Sequence, residues 1–433
     1  MLDINFIRNN AEKVQQNAQN KGYDVNIDDL LKLDAKKREL QTVVDDLRAK
    51  RNENVNKIKG TKPTEDLITE GKAIKTQLAS LETELKNVEV SYIDLLKLVP
   101  NMALQDVPVG LSEDENVVAK TVGEIPKFDF AVLSHADIAS KNGWIDKERA
   151  AKVTGSRFAY IAGDLVKLQL AIVNFVINTL SDETKMAEIA QVAGLNVSTK
   201  PMKPILPPLM IRTDMYDAMD RLEPREERYK LEGDDLWLQG SAEHVLGSMH
   251  QGEVFDESEL PLRYIGYATS FRREAGAYGK DMEGIFRMHQ FDKLEMESFT
   301  TAEDGHNEHL LFVAIQEYLL SQLELPYRVL KKCTFDIGKP NACGVDMEVW
   351  LPGQQKYRET HTADYMTDYQ ARRLNTKVRR TSSGKLELIH TNDATAFAIG
   401  RIMIAIIENN QTKDGHVNVP KVLQPYLNGR SVL

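Results

Sequence analysis

Cysteine is nearly absent from this 433-residue chain: only Cys333 and Cys343 occur, with no second pair. That excludes a disulfide-stapled scaffold and a cysteine-ligated zinc cluster, and it fits a reducing compartment, the cytoplasm. No GxGxxG or Walker-type glycine loop is present, which excludes the commonest nucleotide-binding folds. Long apolar runs are missing too. The most apolar stretch, Leu165 to Leu180, is broken by Lys167, Gln169, Asn174 and Asn178, so no membrane span is expected. The first residues, MLDINFIRNNAEKVQQN, contain no apolar signal core. Positive charge is in deficit, 55 Lys and Arg against 65 Asp and Glu, so any contact with nucleic acid must come from a local basic patch. What remains is ordinary globular material, 42% hydrophobic, and long enough for a large core plus one accessory domain.

The N-terminal quarter is helical in pattern. Residues 3–20 read as one short helix. A first arm from about Ile27 to Lys59 carries Leu33, Leu40, Val44, Leu47 and Ile58 on a 3-4 spaced stripe, which Lys37, Arg51 and Asn54 share. A second arm from about Thr64 to Leu98 keeps a cleaner seven-residue repeat through Leu67, Ile74, Leu78, Leu81, Leu85, Val88, Tyr92 and Leu95. Joined by Gly60-Thr61-Lys62-Pro63, the two predict an antiparallel two-helix coiled coil, with Thr64 capping the second helix. Its tip is basic: Arg48, Lys50, Arg51, Lys57, Lys59 and Lys62 face a single acid, Glu53. A solvated helix end accounts for such a run, and so does an arm that tracks the phosphates of structured RNA.

Pro100 to Lys127 reads as a loop-rich connection. Beyond it strands outnumber crossover helices, so the fold class is α+β, a mostly antiparallel sheet flanked by helices. KPILPPLMIR at 203 to 212 holds Pro207 and Pro208 and is an edge or interface strand at best. The chemistry gathers between Thr269 and Phe299, where two strand-like halves enclose a glycine-bearing loop. In an extended segment Arg272 and Glu274 share one face. The return half carries Phe291, Asp292, Leu294, Glu295 and Glu297. Such a hairpin offers a guanidinium for a phosphate, an aromatic face for a base and carboxylates for an ammonium or hydroxyl. An enzyme joining an amino acid to ATP needs these groups, although a polar surface hairpin is the ordinary reading of RxE by itself.

Several segments fall in a telling order: the helical arm, VTGSRFAYI, the Pro207 segment, SAE at 241 to 243, FRREAG at 271 to 276, FRMHQFDKLEMESF, MEVWLP at 347 to 352, YQARRLN at 369 to 375 and AIGRIMIAIIENNQ. Together they resemble seryl-tRNA synthetase, a class II aminoacyl-tRNA synthetase, over essentially the whole chain. The resemblance implies a class II antiparallel sheet, a tRNA-binding helical arm over residues 1–105 and a catalytic domain over 106–433. It also implies a homodimer formed partly through the Pro207 segment, and ATP with Mg²⁺. The substrates would be L-serine and tRNA(Ser), with tRNA(Sec) a further acceptor to be tested.

Residue by residue, it implies that Arg272 grips the α-phosphate and contacts serine, with Arg273 beside it. Glu274 would sit by the adenine amino group and Phe291 would stack on the ring. Arg401 would hold the γ-phosphate. Glu359 would be the magnesium and ATP ligand, flanked by Thr360, His361 and Thr362. Ser241, Ala242, Glu243, Glu295 and Thr395 would form the serine pocket, and the basic tip would meet tRNA. The chain departs from the family pattern in three places: Ser241 replaces a threonine, THTADY at 360 to 365 replaces ISSCSN, and Asp393-Ala394-Thr395 replaces Asn-Gly-Ser. Other readings are an inactive RNA-binding paralogue, a ligase loading a carrier protein, and a class II enzyme for another small amino acid.

Overall fold

Apolar spacing over residues 27–98 becomes two long helices in the computed structural model, which describes residues 1–59, 64–274 and 284–433. They belong to the first of two units, Met1–Met102; the second is Ala103–Leu433. The expected single helix at 3–20 is instead α1 (Ile4–Asn9) and α2 (Ala11–Asn20), because Asn10 leaves the helical region at φ -138°. Next come α3 (Ile27–Ile58), capped by the Asn26 side chain, and α4 (Glu65–Leu98), whose Leu67 N–H donates to Thr64 Oγ1. Leu40 and Val44 meet Leu85 and Val88 in the seam, with Leu33 and Leu81 at its edge.

Asn54 is the polar exception in that stripe, and it is buried. Its Nδ2 donates to Leu67 O at 3.2 Å and to Glu70 Oε2 at 3.0 Å. It packs on Gly71, where a Cβ would stand 3.1 Å from Asn54 Oδ1. A satisfied polar group in an apolar seam fixes register. At the base of α4 the structure buries Leu96 rather than Leu95, since a straight helix drifts against a strict seven-residue repeat.

The second unit is built on an eight-stranded sheet. In chain order the strands are β1 (Val117–Val122), β2 (Lys203–Ile205), β3 (Leu262–Phe271), β4 (Gln290–Thr300), β5 (Tyr327–Lys331), β6 (Cys343–Leu351), β7 (Lys356–Thr367) and β8 (His390–Ala398). Across the sheet they run β1-β5-β6-β7-β8-β4-β3-β2, antiparallel except for the β2–β3 pair. β1 lies in the stretch expected to be loop; its residues are mostly exposed, so it lacks the apolar alternation that marks a strand. β2, in the Pro207 segment, is an edge strand as expected.

One face of this sheet is apolar and the other carries charge. Leu294 and Met296 of β4 enter a core shared with helices α5 (Asp164–Leu180), α7 (Gly305–Gln322) and α8 (Ile399–Asn409); α6 (Glu243–Ser248) is short. Strand alternation sends Phe291, Lys293, Glu295 and Glu297 the other way. Two of the sheet's bulges adjust that alternation around the charged face. Between β6 and β7, Met347 faces His361 while Glu348 faces Glu359, so Thr360 is extra. Between β4 and β8, Leu294 faces Phe397 while Glu295 faces Thr395, so Ala396 is extra. Gln316 of α7 donates from beneath to Thr362 O at 2.8 Å and Thr395 O at 2.9 Å. Both cysteines are free and buried. No single helix among the described residues is long and apolar enough to cross a membrane.

Arg263 of β3 is clamped to Glu308 of α7, Nε to Oε2 at 2.8 Å, with side-chain exposures of 0% and 2%. It also donates to Ser198 O at 2.9 Å and Lys200 O at 2.6 Å. Removing one partner strands a buried charge. Glu308→Ala should therefore lose about 3–5 kcal/mol in denaturant unfolding. The double replacement Arg263→Met with Glu308→Leu should lose less than the single one.

Candidate active site

The charged face of the sheet opens into a cavity of about 580 Å³, and Arg272, Glu274, Phe291, Glu359, Thr395 and Arg401 all line it. Residues far apart in sequence, each expected at one site, therefore meet. Arg272 lies just past the end of β3. Its backbone N–H donates to His289 O at 3.0 Å, and its Nε donates to Gly240 O at 3.0 Å. Its guanidinium stands 5.4 Å from the Phe291 ring centroid.

Glu274 reaches the cavity by a different route from the one expected. The strand stops at Phe271, and Glu274 turns at φ +52°, so its carboxylate meets Arg287 at 3.1 Å. A turn, not strand alternation, brings it beside Arg272. Arg273 does not join them: it is exposed, 5.1 Å from the Tyr229 ring, and donates to Arg228 O at 3.2 Å. The expectation for Arg273 is thus corrected. The glycine-bearing loop at 275–281 lies outside the described residues.

Arg401 sits in the first turn of α8 and donates to Glu359 O at 2.7 Å, with Glu359 Oε2 at 3.4 Å. The Glu359 side chain is 51% exposed, open to a ligand. Thr360 and Thr362 are also in the wall, because the bulge at Thr360 returns Glu359 to the face of Thr362 and Asp364. His361 is turned the opposite way. It is buried, its ring nitrogen is 2.7 Å from Thr360 Oγ1, and it packs edge-on against Phe397. Burial pulls its pKa down to about 3, and it is not among the residues that line the cavity, which corrects the expectation that it touches ATP. Phe286, which the sequence did not single out, lies between Arg358 at 4.1 Å and Arg401 at 5.0 Å. It falls in the turn before β4, where two-residue periodicity says nothing.

Glu243 and Lys293 form the floor, and behind them lies a network of buried charge that includes Ser241 and Glu295, which do not themselves line the cavity. Ser241 Oγ lies 3.0 Å from Glu243 Oε2, 3.1 Å from Glu295 Oε2 and 3.0 Å from Lys293 Nζ. Lys293 is ion-paired with Glu295 and is 3.8 Å from Glu243. Arg221 approaches Glu243 at 3.5 Å and Asp393 at 3.2 Å, and donates to Asn341 Oδ1 at 3.2 Å. The two carboxyls on Ser241 are driven apart. Burial opposes ionisation of Glu243, yet His244, Arg221 and Lys293 hold it well below the usual range. Burial and the charge of Glu243 outweigh Lys293 at Glu295 and push it up to about 7. Ala242 does not face this floor; it packs on Leu246 and Ala268. Lys293 was legible in principle, two residues from both Phe291 and Glu295 on one strand face. Arg221 had no local signal at all.

At the basic tip, Lys50, Arg51, Lys57 and Lys59 are exposed. Arg48 is engaged with Glu82 at 2.8 Å and Asp45 at 3.3 Å, and Lys62 lies outside the described residues.

Glu297 continues the same strand face, fully buried, and neither carboxyl oxygen has a hydrogen-bond partner among the described residues. Burial first, then Asp393, Glu243 and Glu295, raise its pKa well above the ordinary value. A raised pKa means the folded chain binds this proton more tightly. The stabilisation is complete below the unfolded value near 4.5 and is lost as pH rises through the folded value. Glu297→Gln removes that loss. Its unfolding free energy relative to the parent should grow above pH 4.5 by up to about 1.4 kcal/mol per pH unit, read by denaturant titration across pH.

Comparison with known proteins agrees with this geometry. The model for the seryl-tRNA synthetase N-terminal domain matches residues 1–103, and that for the tRNA synthetase class II core domain (G, H, P, S and T) matches 227–410. The chain is 40% identical to the serine–tRNA ligase of Thermotoga neapolitana over 98% of both sequences. It is 36% identical to that of Nitrosopumilus maritimus over 99% of both. Among solved structures, it is similar to seryl-tRNA synthetase from Pyrococcus horikoshii complexed with ATP, at 34% identity and a TM-score of 0.87, over 100% of this chain and 99% of that one. The cytoplasmic serine–tRNA ligase of Naegleria fowleri in complex with AMP gives 30% and 0.83, over 100% and 98%. The chain belongs to the seryl-tRNA synthetase family, the class II aminoacyl-tRNA synthetases that ligate serine to tRNA.

Proposed function

We propose that the cavity activates L-serine with ATP, and that the seryl group then passes from seryl-adenylate to the 3′ end of tRNA(Ser). The convergence of Arg272, Phe291, Glu359 and Arg401 with Glu243 and Thr395 at one cavity carries this reading, with Ser241 and Glu295 bonded to each other directly behind Glu243. The ATP and AMP bound to the two structural relatives support a nucleotide in the same place.

In the first step a serine carboxylate oxygen bonds to the α-phosphorus as the bond to pyrophosphate breaks. Negative charge grows on the phosphate oxygens, and fixed guanidinium groups are the means of stabilising it. Arg272, held by Gly240 O, takes the α-phosphate; Arg401, braced on Glu359, takes the γ-phosphate. Phe291 stacks on adenine and Glu274 accepts from its amino group. Ionised Glu243 suits the serine ammonium, while Ser241, Glu295 and Thr395 offer partners to its hydroxyl.

Magnesium prefers one or two carboxylates plus substrate phosphates. The half-exposed Glu359 carboxylate on the cavity wall fits that role, with Thr362 beside it. When bound, the ion would neutralise phosphate charge. In the second step the 3′ ribose hydroxyl attacks the adenylate carbonyl and AMP leaves.

The basic tip, through Lys50, Arg51, Lys57 and Lys59, is the surface we assign to tRNA, with tRNA(Sec) a second acceptor to assay. Leu206, Leu209 and Met210 are apolar and exposed in the Pro207 segment, which supports a homodimer there. A cytoplasmic location follows from the same reading. An inactive paralogue has no need of the paired Arg401 and Glu359 or of a charged floor tuned around Ser241.

ATP–pyrophosphate exchange with serine, threonine, alanine, glycine and cysteine tests the reading. Serine should dominate, with alanine weaker by about 10⁴-fold because it leaves the hydroxyl partners unpaired. Arg272→Ala should lower the exchange rate by about 10²–10³-fold. No exchange with any amino acid would overturn the proposal.

A further inference from the structure

We propose that Lys332 is a positioning residue of the adenylation cavity that acts by neutralising Asp364 in its wall. The proposal rests on the adenylation reading above. Lys332 follows β5, and its backbone N–H donates to Gly344 O at 3.1 Å. Its side chain is 8% exposed, so the ammonium is fixed inside the protein. Nζ forms an ion pair with Asp364 Oδ1 at 2.8 Å, donates to Thr362 Oγ1 at 2.9 Å and lies 3.6 Å from Asp346 Oδ1. Thr362 and Asp364 both line the cavity.

Space for this lysine is built into the neighbouring strand. A Cβ at Gly344 would stand 2.2 Å from Lys332 Cε and 2.4 Å from Asp364 Oδ1. Only glycine lets the side chain run under β6 to reach β7. The need for it is electrostatic. Asp364 is directly opposite Asp393 across β7 and β8, where two ionised carboxylates would repel; burial, Glu243 and Asp364 raise the Asp393 pKa well above its ordinary value. Asp393 already has Arg221 at 3.2 Å; Lys332 serves Asp364. Without it, a bare carboxylate would face a cavity whose substrates are anions.

Asp364 stands at the serine end, because its cross-strand neighbour Asp393 is two residues from Thr395. The effect should therefore fall on serine more than on ATP. Separate KM values for serine and ATP in exchange, with thermal unfolding, test this on the full chain. Lys332→Met should raise KM for serine by about tenfold or more and KM for ATP by less than about threefold. Adding Asp364→Asn should bring serine KM back to within about threefold of the parent, and Asp364→Asn alone should stay there too.

A Lys332→Met protein that loses thermal stability with both KM values intact would make the lysine a mere brace and overturn the proposal. A comparable serine KM rise in Asp364→Asn alone would put Asp364 itself on the substrate, with the same result. Should Lys332→Met not fold, the double variant compared with Asp364→Asn decides: matching serine KM values uphold the proposal, and a rise confined to the double variant overturns it. Absence of exchange in the parent chain would instead count against the adenylation reading.

Discussion

Charge cannot be buried singly, and the second unit is arranged around that constraint. Glu243, Glu295, Glu297, Asp364 and Asp393 are all nine-tenths or more buried on one face of the sheet. Taking each ionised carboxylate out of water is costly, so it must find a cation, share a hydroxyl or hold a proton. All three solutions appear together. Glu243 takes Arg221 and Lys293, Asp364 takes Lys332, and Glu243 and Glu295 share Ser241. Burial and its acidic neighbours keep the proton on Glu297. The same balance that lets the sheet fold leaves a floor with a fixed ionised carboxylate beside a proton-holding one.

Pairing by distant cations lets the chain tolerate residues that depart from the family pattern. Asp364 and Asp393 replace small neutral residues and face each other across adjacent strands. Either would be a defect without compensation. Arg221 and Lys332 reach them from separate segments, one before α6 and one after β5. The substitutions read as alarming in isolation because the compensating cations are more than thirty residues away from both.

What was legible in the sequence follows the range of the forces involved. Helix periodicity is local, so α3, α4 and the Thr64 cap could be read directly, as could the antiparallel hairpin of β3 and β4. Motif order carried Arg272, Phe291, Glu359 and Arg401 to one cavity. The missed or misplaced features are long-range or irregular. β1 had no buried face, Glu274 arrives by a positive-φ turn, and Arg221 and Lys332 act across the fold. Arg273, His361 and Ala242 were drawn in by adjacency to cavity residues; alternation turns His361 to the opposite face of its strand, while Arg273 follows the end of β3 and Ala242 precedes α6, where adjacency says nothing about direction.

The two bulges show how far that parity decides function. On β7, Thr362 and Asp364 share a face by simple alternation, whereas Glu359, an odd step away, would be directed into the apolar core of the sheet. The extra residue Thr360 reverses the parity and brings Glu359 back beside Arg401. On β8, Ala396 does the same between Thr395 and Ala398, which both line the cavity. Each bulge leaves ladder groups unpaired, and Gln316 reaches up from α7 to the carbonyls of Thr362 and Thr395 close by. A single buried amide thus supports both irregularities from the apolar side. Glu359 on one strand and Thr395 and Ala398 on the next are aimed into the cavity by the same device, so the core helix beneath the sheet is part of what positions the cavity wall above it.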